Sequence, residues 1–322
     1  MNQRIYSTVV IPNYNGIAYI EKCLRFLEGE PAHVIVVDNG STDGSRQVVQ
    51  EKFPQVELIC LDKNYGFCKA VNTGIEASKT TYVILLNNDT EVDKGFVRAL
   101  EQPLMQHPEV FSGSAQMRNL QRPGLIDDAG DYYCALGWAF ALGKDKPFQD
   151  YMRKRKIFAA CGGAAIYRRK VFDEVGLFDE KHFAYLEDID IGYRARIHGY
   201  NNLYIPEALV YHAGSGASGS RYNDFKVRLT SRNSIYLIFK NMPTAQIILN
   251  LPFLAAGFVV KAVFFARKGF GLTYLRGLRE GFILCCSEEG RAHRVLFRKE
   301  RLYSYLAVQL ELWRNIWYRF KF

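Results

Sequence analysis

The sequence predicts an α/β fold: a mostly parallel sheet flanked by helices, with a basic and apolar helical region appended at the C-terminal end. Three observations predict it. Short apolar runs alternate with amphipathic stretches at the spacing of βαβ units. Polar and acidic residues gather where the apolar runs stop, as they do along the ligand-binding carboxyl edge of parallel sheets. Positive charge is concentrated after residue 230 rather than spread over all 322 residues.

Residues 7–12 (Ser-Thr-Val-Val-Ile-Pro) read as a buried strand, and 17–27 as an amphipathic helix with Ile17, Ile20, Leu24 and Leu27 on one face. A second strand at 34–37 leads into a Gly/Ser/Thr/Asp turn and a helix over 45–53. A strand at 56–61, a helix at 69–78 and a strand at 82–86 that stops at Asn87 complete the regular alternation. From 118 to 156 the periodicity weakens while Gly, Asp, Tyr and Trp accumulate, which predicts an irregular, ligand-facing stretch. Apolar character returns over 158–167 around Cys161-Gly-Gly-Ala164, and 169–175 reads as a short helix. A helix is expected from the Glu187-Asp188 pair through His198, ended by Gly199, then strands at 203–205 and 208–211. The expected division is a catalytic domain over 1–230 and a helical region over 231–322.

Apolar residues make up 48% and charged residues 23% of the chain, enough to bury a full core and to exclude general disorder. Seven cysteines without CxxC spacing argue against a disulfide framework or zinc site and fit a reducing, cytoplasmic location. The first residues enter a strand pattern directly, so no signal peptide is expected. The net charge of +9 comes entirely from 231–322, which hold 15 Lys/Arg and 5 Asp/Glu, while residues 1–230 carry about −1. That region also carries the longest apolar run, 245–266, interrupted by Gln246, Asn250, Pro252 and Lys261. Basic charge interleaved with Phe, Trp, Tyr and Leu suits an anionic membrane surface. No nucleic-acid module signature accompanies it, so nucleic acid is not the expected partner. The 22 residues of the run could reach across a bilayer core, whereas Pro252, Gly257 and Lys261 favour an interfacial helix or a packed helix pair.

Val36-Val-Asp-Asn-Gly-Ser-Thr-Asp-Gly-Ser45 follows a strand and precedes a helix. Asp38 could accept hydrogen bonds there from a nucleobase or ribose, or the segment could be a turn and cap series. The first strand runs into Ile11-Pro-Asn-Tyr-Asn-Gly16 rather than a GxGxxG turn, against dinucleotide binding, and a Walker A motif is absent. Asp89, at the end of Asn87-Asn88-Asp89, could hold a divalent cation against a diphosphate or cap the following turn. Of the adjacent Glu187 and Asp188, one can cap the helix they open, which leaves the other for general-base work. His212 lies just past a strand, before a glycine-rich turn, in a position like that of Asp89.

In their order and spacing, Ile11-Pro-Asn-Tyr-Asn-Gly16, Val37-Asp-Asn-Gly-Ser-Thr-Asp-Gly44, Asn64-Tyr-Gly-Phe67 with Asn72 and Gly74, Asn87-Asn-Asp89, Glu187-Asp188 and His212 resemble the inverting family 2 glycosyltransferases of GT-A fold. The resemblance covers about residues 7–240. Within the family, Ser231-Arg-Asn-Ser234 and Lys240-Asn-Met-Pro243 are similar to bacterial rhamnosyltransferases of cell-surface polysaccharide assembly. The resemblance implies a metal-dependent hexosyltransferase in which Pro12, Asn13 and Asp38 line the nucleoside pocket, with Asn64, Gly66 and Asn72 nearby and Asn88 beside the donor. Asp89 and His212 would hold Mg2+ or Mn2+. The DxD pattern of the family reads Asn-Asn-Asp here, so a single carboxylate would rely on the donor's diphosphate oxygens.

Asp188, the second acid of the Glu187-Asp188 pair, is the implied general base. The implied partners are a nucleoside-diphosphate sugar, with dTDP-rhamnose first, and a lipid-linked saccharide acceptor at the inner face of the cell membrane. Another UDP- or GDP-sugar, or nucleotidyl transfer, is the alternative; a processive synthase would require the Gln-x-x-Arg-Trp motif that is absent. The 118–156 stretch and the Cys161–Ala164 turn are expected to shape the acceptor site. Tyr132, Tyr133 and Trp138 would either stack on sugar faces or pack in the core.

Overall fold

The computed structural model describes residues 4–214 and 222–321. Strands and helices alternate as β1 (Ser7–Asn13), α1 (Ile20–Phe26), β2 (Ala32–Asn39), α2 (Ser45–Lys52), β3 (Glu57–Leu61), α3 (Phe67–Ala77) and β4 (Tyr82–Leu86). These four strands pair in parallel in the order β3-β2-β1-β4. Next come β5 (Thr90–Val92), α4 (Phe96–Gln106), β6 (Val110–Asn119), β7 (Ile126–Asp128), β8 (Asp131–Cys134), β9 (Trp138–Ala141), β10 (Arg155–Ile157), β11 (Ala164–Arg168), α5 (Phe172–Val175), α6 (Glu187–Ile197) and β12 (Asn201–His212). β11 enters antiparallel between β4 and β6, and β12 runs parallel to β6. The long parallel strands therefore deliver their carboxyl ends to one edge.

Period-two alternation explains why both faces of the sheet are covered. Val9, Ile11, Val36, Ile84 and Leu86 belong to one core with α1, α2 and α4. Val10, Ile35, Val37, Val83 and Leu85 point the other way, into a core with α3 and α6. With both faces buried, these strands read as continuous apolar runs, the pattern seen in the sequence.

Several boundaries differ from expectation for physical reasons. α1 begins at Ile20, not at residue 17: the Ile17 amide donates to Asp43 Oδ2 at 2.8 Å, and Ile17 is 43% exposed. The two strands expected at 203–205 and 208–211 are one strand, β12, with a register break between Ile205 and Leu209 that absorbs Pro206, which has no N–H for the ladder. The 118–156 stretch contains the β8–β9 hairpin rather than irregular chain alone. Tyr132 and Tyr133 are buried: Tyr132 stacks on Phe140 with centroids 5.8 Å apart, and Tyr133 packs against Phe158. Core packing, not sugar stacking, is where these rings are used. The glycine-rich turn expected after His212 falls outside the described residues from 215 onward.

The C-terminal helices are α7 (Asp224–Asn241), α8 (Thr244–Arg267), α9 (Gly271–Cys286), α10 (Glu288–Ala292) and α11 (Leu302–Lys321). α8 passes unbroken through Pro252, so the apolar run is one helix and not a pair. α7 runs straight across residue 230, the expected boundary. A third core with Tyr133, Phe158, Tyr193, Leu237, Leu254 and Leu312 joins these helices to α6 and β8.

A buried ionic junction sits beside that core. Lys240 Nζ on α7 lies 2.7 Å from Asp179 Oδ2 and 2.8 Å from Asp190 Oδ2 on α6. Asp190 also takes Arg194 and the Asn241 amide, both at 2.8 Å, and the Tyr236 hydroxyl donates to Asp179 at 2.8 Å. Burial alone would raise the Asp179 carboxyl, but Lys240 outweighs it and holds the pKa at about 2. Burial of Asp190 is likewise outweighed by Arg194 and Lys240, which keep it well below the usual range.

Lys240→Met leaves two buried carboxylates short of their shared cation, and urea unfolding at pH 7 should show a loss of about 3–5 kcal/mol. The folded pKa of Asp179 is depressed, so its contribution is present above its ordinary 3.8 and is lost as pH falls toward about 2. Wild-type unfolding free energy measured across that window should fall accordingly.

Candidate active site

A cleft of about 770 Å³ opens at the carboxyl ends of β1, β2 and β4, faced by the 183–188 segment that enters α6 and by the start of α7. Among the residues singled out from the sequence, Pro12, Asn13, Asn64, Gly66, Asn88, Asp89, Glu187, Asp188 and His212 all line it. Asp38 and Asn72 do not. A hollow of about 860 Å³ at the opposite end of β1 and β2, beside Thr8, Val34 and Glu57, holds none of them.

Asn13 ties three strand ends together. Its Nδ2 donates to Asp38 Oδ2 at 3.1 Å and Ser45 Oγ at 2.9 Å, while its Oδ1 accepts from Asn88 Nδ2 at 2.8 Å. Asp38 therefore stands behind Asn13, its other oxygen accepting from the Ser41 amide at 3.1 Å and from Arg46 at 2.8 Å. Burial pushes against ionisation of Asp38, but Ser41, Arg46 and Asn13 together hold its pKa below the ordinary value. Asn39, next along β2, donates to Asn64 Oδ1 and the Gly66 carbonyl, each at 3.0 Å, and accepts from the Tyr65 amide at 2.9 Å. Gly66 adopts φ +89°, and a Cβ there would meet Phe183 at 2.6 Å, so only glycine lets the two walls of the cleft touch. Asn72 clamps Phe178 instead: Nδ2 donates to its carbonyl at 2.8 Å and Oδ1 accepts from its amide at 3.0 Å.

On the next side of the cleft, His212 Nε2 and Asp89 Oδ1 lie 3.2 Å apart. Neighbouring ligands of an octahedral Mg2+, each at about 2.1 Å, stand about 3.0 Å apart, so this pair fits two adjacent positions on one divalent ion. Behind it, His212 Nδ1–H donates to Asp127 Oδ2 at 2.8 Å, and Asp127 also pairs with Lys144. A carboxylate on the far nitrogen is the usual support of a metal-binding imidazole, because it fixes the tautomer that leaves Nε2 free. Burial alone would lower the His212 pKa, but Asp127 and Asp89 reverse this and raise it to about 9. Asp127, whose burial is outweighed by His212 and Lys144, is held at about 2.

The facing wall is acidic. Asp188 Oδ1 accepts from the Gly162 amide at 3.0 Å, which fixes the carboxyl and leaves Oδ2 for other work. Burial and then the Glu187 charge raise the Asp188 pKa well above the ordinary range. Burial and then Asp131 raise Glu187 to about 7; burial and then Asp188 raise Asp131 to about 8. Asp128 is pushed up by burial and Asp131. So many carboxyls in so little water cannot all ionise, so the wall holds protons near neutral pH. Asp128, Asp131 and Cys161 also bring ligand atoms within 4.8 Å of one another, but neither aspartate reaches the cleft, where a donor diphosphate would have to meet the ion.

Residues 8–176, more than half of the chain, match the family described as Glycosyl transferase family 2. The chain belongs to that family. An N-acetylglucosaminyl-diphospho-decaprenol L-rhamnosyltransferase of Mycobacterium tuberculosis is 29% identical over 239 residues, 66% of this chain and 77% of the relative. Among solved structures, Staphylococcus aureus TarS 1-349 in complex with UDP-GlcNAc has a TM-score of 0.57 at 18% identity, covering 98% of this chain and 92% of that one. The mannosyltransferase PcManGT from Pyrobaculum calidifontis, in complex with GDP-Man and Mn2+, has a TM-score of 0.52 at 17% identity, covering 96% and 88%. These structures share the GT-A fold of this glycosyltransferase.

Sequence reasoning missed Asn39, Asp127 and Asp131 in this family 2 enzyme. Asn39 adjoins Asp38 at the end of β2, and that strand-end position is the signal that marks it. Asp127 and Asp131 lie in a stretch without periodicity, and only the run Asp127-Asp128-Ala-Gly-Asp131 marks them. Metal-free Asp127→Asn protein should show the His212 pKa falling from about 9 toward 6.5, by about one pH unit or more, as followed by NMR titration of the imidazole.

Proposed function

We propose that this family 2 glycosyltransferase moves a sugar, rhamnose from dTDP-rhamnose as the first choice, from a nucleoside-diphosphate donor to a hydroxyl of a lipid-linked saccharide in cell-surface glycan assembly. The observation that carries the reading is the opposition, across one cleft, of the Asp89–His212 pair and the Asp188 carboxyl. The mycobacterial relative, named for rhamnosyl transfer to a diphospho-decaprenol acceptor, supports the choice of sugar and acceptor.

Asn13, Asn39 and Asn64 would present amides to the nucleoside, and Asp38 would orient Asn13 from behind. Asp89 and His212 would hold Mg2+ or Mn2+, and Asp127 would set the imidazole tautomer. The bound ion would supply Lewis-acid stabilisation of charge gathering on the departing diphosphate.

Asp188 Oδ2 would take the proton of the acceptor hydroxyl as its oxygen bonds to the anomeric carbon and the carbon–diphosphate bond breaks on the opposite side. Configuration inverts in such a single displacement. A carboxylate raised by burial is, where it is ionised, a stronger base than a solvated one. Residues 1–230 would form the catalytic part and 231–322 the membrane-associating part, with α7 shared between them, and the enzyme would work at the cytoplasmic face of the cell membrane.

Thermal unfolding against a panel of nucleotide sugars, with and without Mn2+, tests the donor: the true donor should raise Tm only with the ion. A larger shift with UDP-GlcNAc or GDP-Man than with dTDP-rhamnose would reassign the sugar, and pyrophosphate release from a nucleoside triphosphate would favour nucleotidyl transfer. Asp188→Asn should lower turnover by roughly 10² to 10⁴ with donor affinity kept. In calorimetry, Asp89→Ala should abolish the ion-dependent part of donor binding.

A further inference from the structure

We propose that α8 does not cross the membrane but lies along it, as part of an apolar platform that α8, α9 and α11 press onto an anionic bilayer, with the cleft opening at the platform's edge. The link to the cleft rests on the reading above that the acceptor is borne by a lipid.

By length and composition α8 could span: it has 24 residues, and an 18-residue window within it reaches a mean hydropathy of 2.1. Its packing argues otherwise. Gln246, Asn250, Leu254 and Gly257 are its buried residues, spaced three or four apart on one stripe. Gln246 Oε1 accepts from the Tyr193 hydroxyl of α6 at 2.6 Å. Asn250 exchanges two 2.8 Å hydrogen bonds with Gln309 of α11 and accepts a third from Trp313 Nε1 at 3.0 Å. Trp138 Nε1 of β9 donates to the Gly257 carbonyl at 3.1 Å. A Cβ on Gly257 would come within 2.0 Å of the Leu136 carbonyl oxygen, so helix and hairpin meet backbone to backbone. Lys261, four residues further on, rests 6.0 Å from the centre of the Trp138 ring. A helix leaving this seat to enter hydrocarbon would carry Gln246 and Asn250 with it, stripped of their partners.

The outward face is bare. Ile248 is 66% exposed and Val259 62%, and the neighbouring helices add Leu272 at 84%, Tyr303 at 86% and Trp317 at 69%. An exposed apolar field of this kind marks an interaction surface. The 15 Lys/Arg against 5 Asp/Glu over 231–322 match it to anionic headgroups. A second copy of the chain could cover apolar side chains too, but it would bring the same positive charge against itself.

Aromatic rings run from this surface to the acidic wall. Tyr222 packs on Phe264 and Phe265, at 5.7 and 6.0 Å, where α8 ends. Phe225, at the start of α7, packs on Phe183 and Tyr185 at 6.2 and 6.3 Å, and Phe225 and Tyr185 line the cleft with Asp188. A saccharide whose lipid anchor stays in the bilayer would reach Asp188 along these rings without leaving the membrane surface.

The full chain should sediment with vesicles of phosphatidylcholine plus phosphatidylglycerol at least about tenfold more tightly than with phosphatidylcholine alone, and alkaline carbonate should release it. Retention after carbonate would mean a spanning helix and overturn the proposal. A Val259→Glu/Val263→Glu variant, changed only on the outward face of α8, should lose vesicle binding about tenfold while keeping its Tm and its transfer to a short, detergent-dispersed acceptor. Unchanged vesicle binding by that variant would overturn the proposal, as would self-association in ultracentrifugation without vesicle binding. Vesicle binding is read without turnover, so failure to glycosylate any lipid-borne acceptor would sink the functional reading alone.

Discussion

Two carboxylates buried on neighbouring segments cannot remain ionised without a cation between them, and Lys240 is that cation. Asp179 lies on the segment that leads toward the cleft, Asp190 in the first turn of α6, and Lys240 on α7. The junction fixes α6 from its N-terminal end, where Glu187 and Asp188 stand. Arg232 and Asn233 extend the same control by donating to the carbonyls of His182, Ala184 and Tyr185. That segment needs such restraint, because Phe183, Tyr185 and Leu186 all have positive φ without being glycine. Geometry at the acidic wall is therefore maintained by a helix that belongs, in sequence, to the C-terminal helical region.

The other wall follows a different logic. Parallel strands bring Asn13, Asn39 and Asn88 to one edge, and their amides both donate and accept, so they bond to each other and still offer groups to a ligand. Apart from the Asp38–Arg46 pair behind Asn13, charge on this side gathers in the row of Asp89, His212, Asp127 and Lys144. The two walls thus differ in kind: neutral amides and the Asp89–His212 pair stand opposite a set of carboxyls whose burial and mutual repulsion favour their protonated forms.

Much of this was legible in the sequence because parallel strands buried on both faces leave continuous apolar runs whose ends are easily located. Asn13, Asn88, Asp89 and Asp188 were all readable as residues just past such runs or at a helix start. What could not be read depended on contacts distant in sequence. Asn72 sits on α3 where either a ligand or Phe178 could have met it, and only the fold decides for Phe178. Asp127 and Asp131 lie in chain without a repeat, and their importance comes from His212 and Asp188, far along the sequence. β12 looked like two strands because a bulge at Pro206 breaks the apolar pattern without breaking the sheet.

The passage of α7 across residue 230 has a consequence for how this enzyme can vary. A chain cut there would keep the strand-end amides and the Asp89–His212 pair yet lose Lys240, Asn233 and Arg232, and with them the support of its acidic wall. Exchange of C-terminal regions between relatives would carry the same penalty unless the 179–190 segment moved as well. The C-terminal helices and the 179–190 segment form one inheritable unit, so changes on the outer face of those helices and changes in the acidic wall are expected to be selected together.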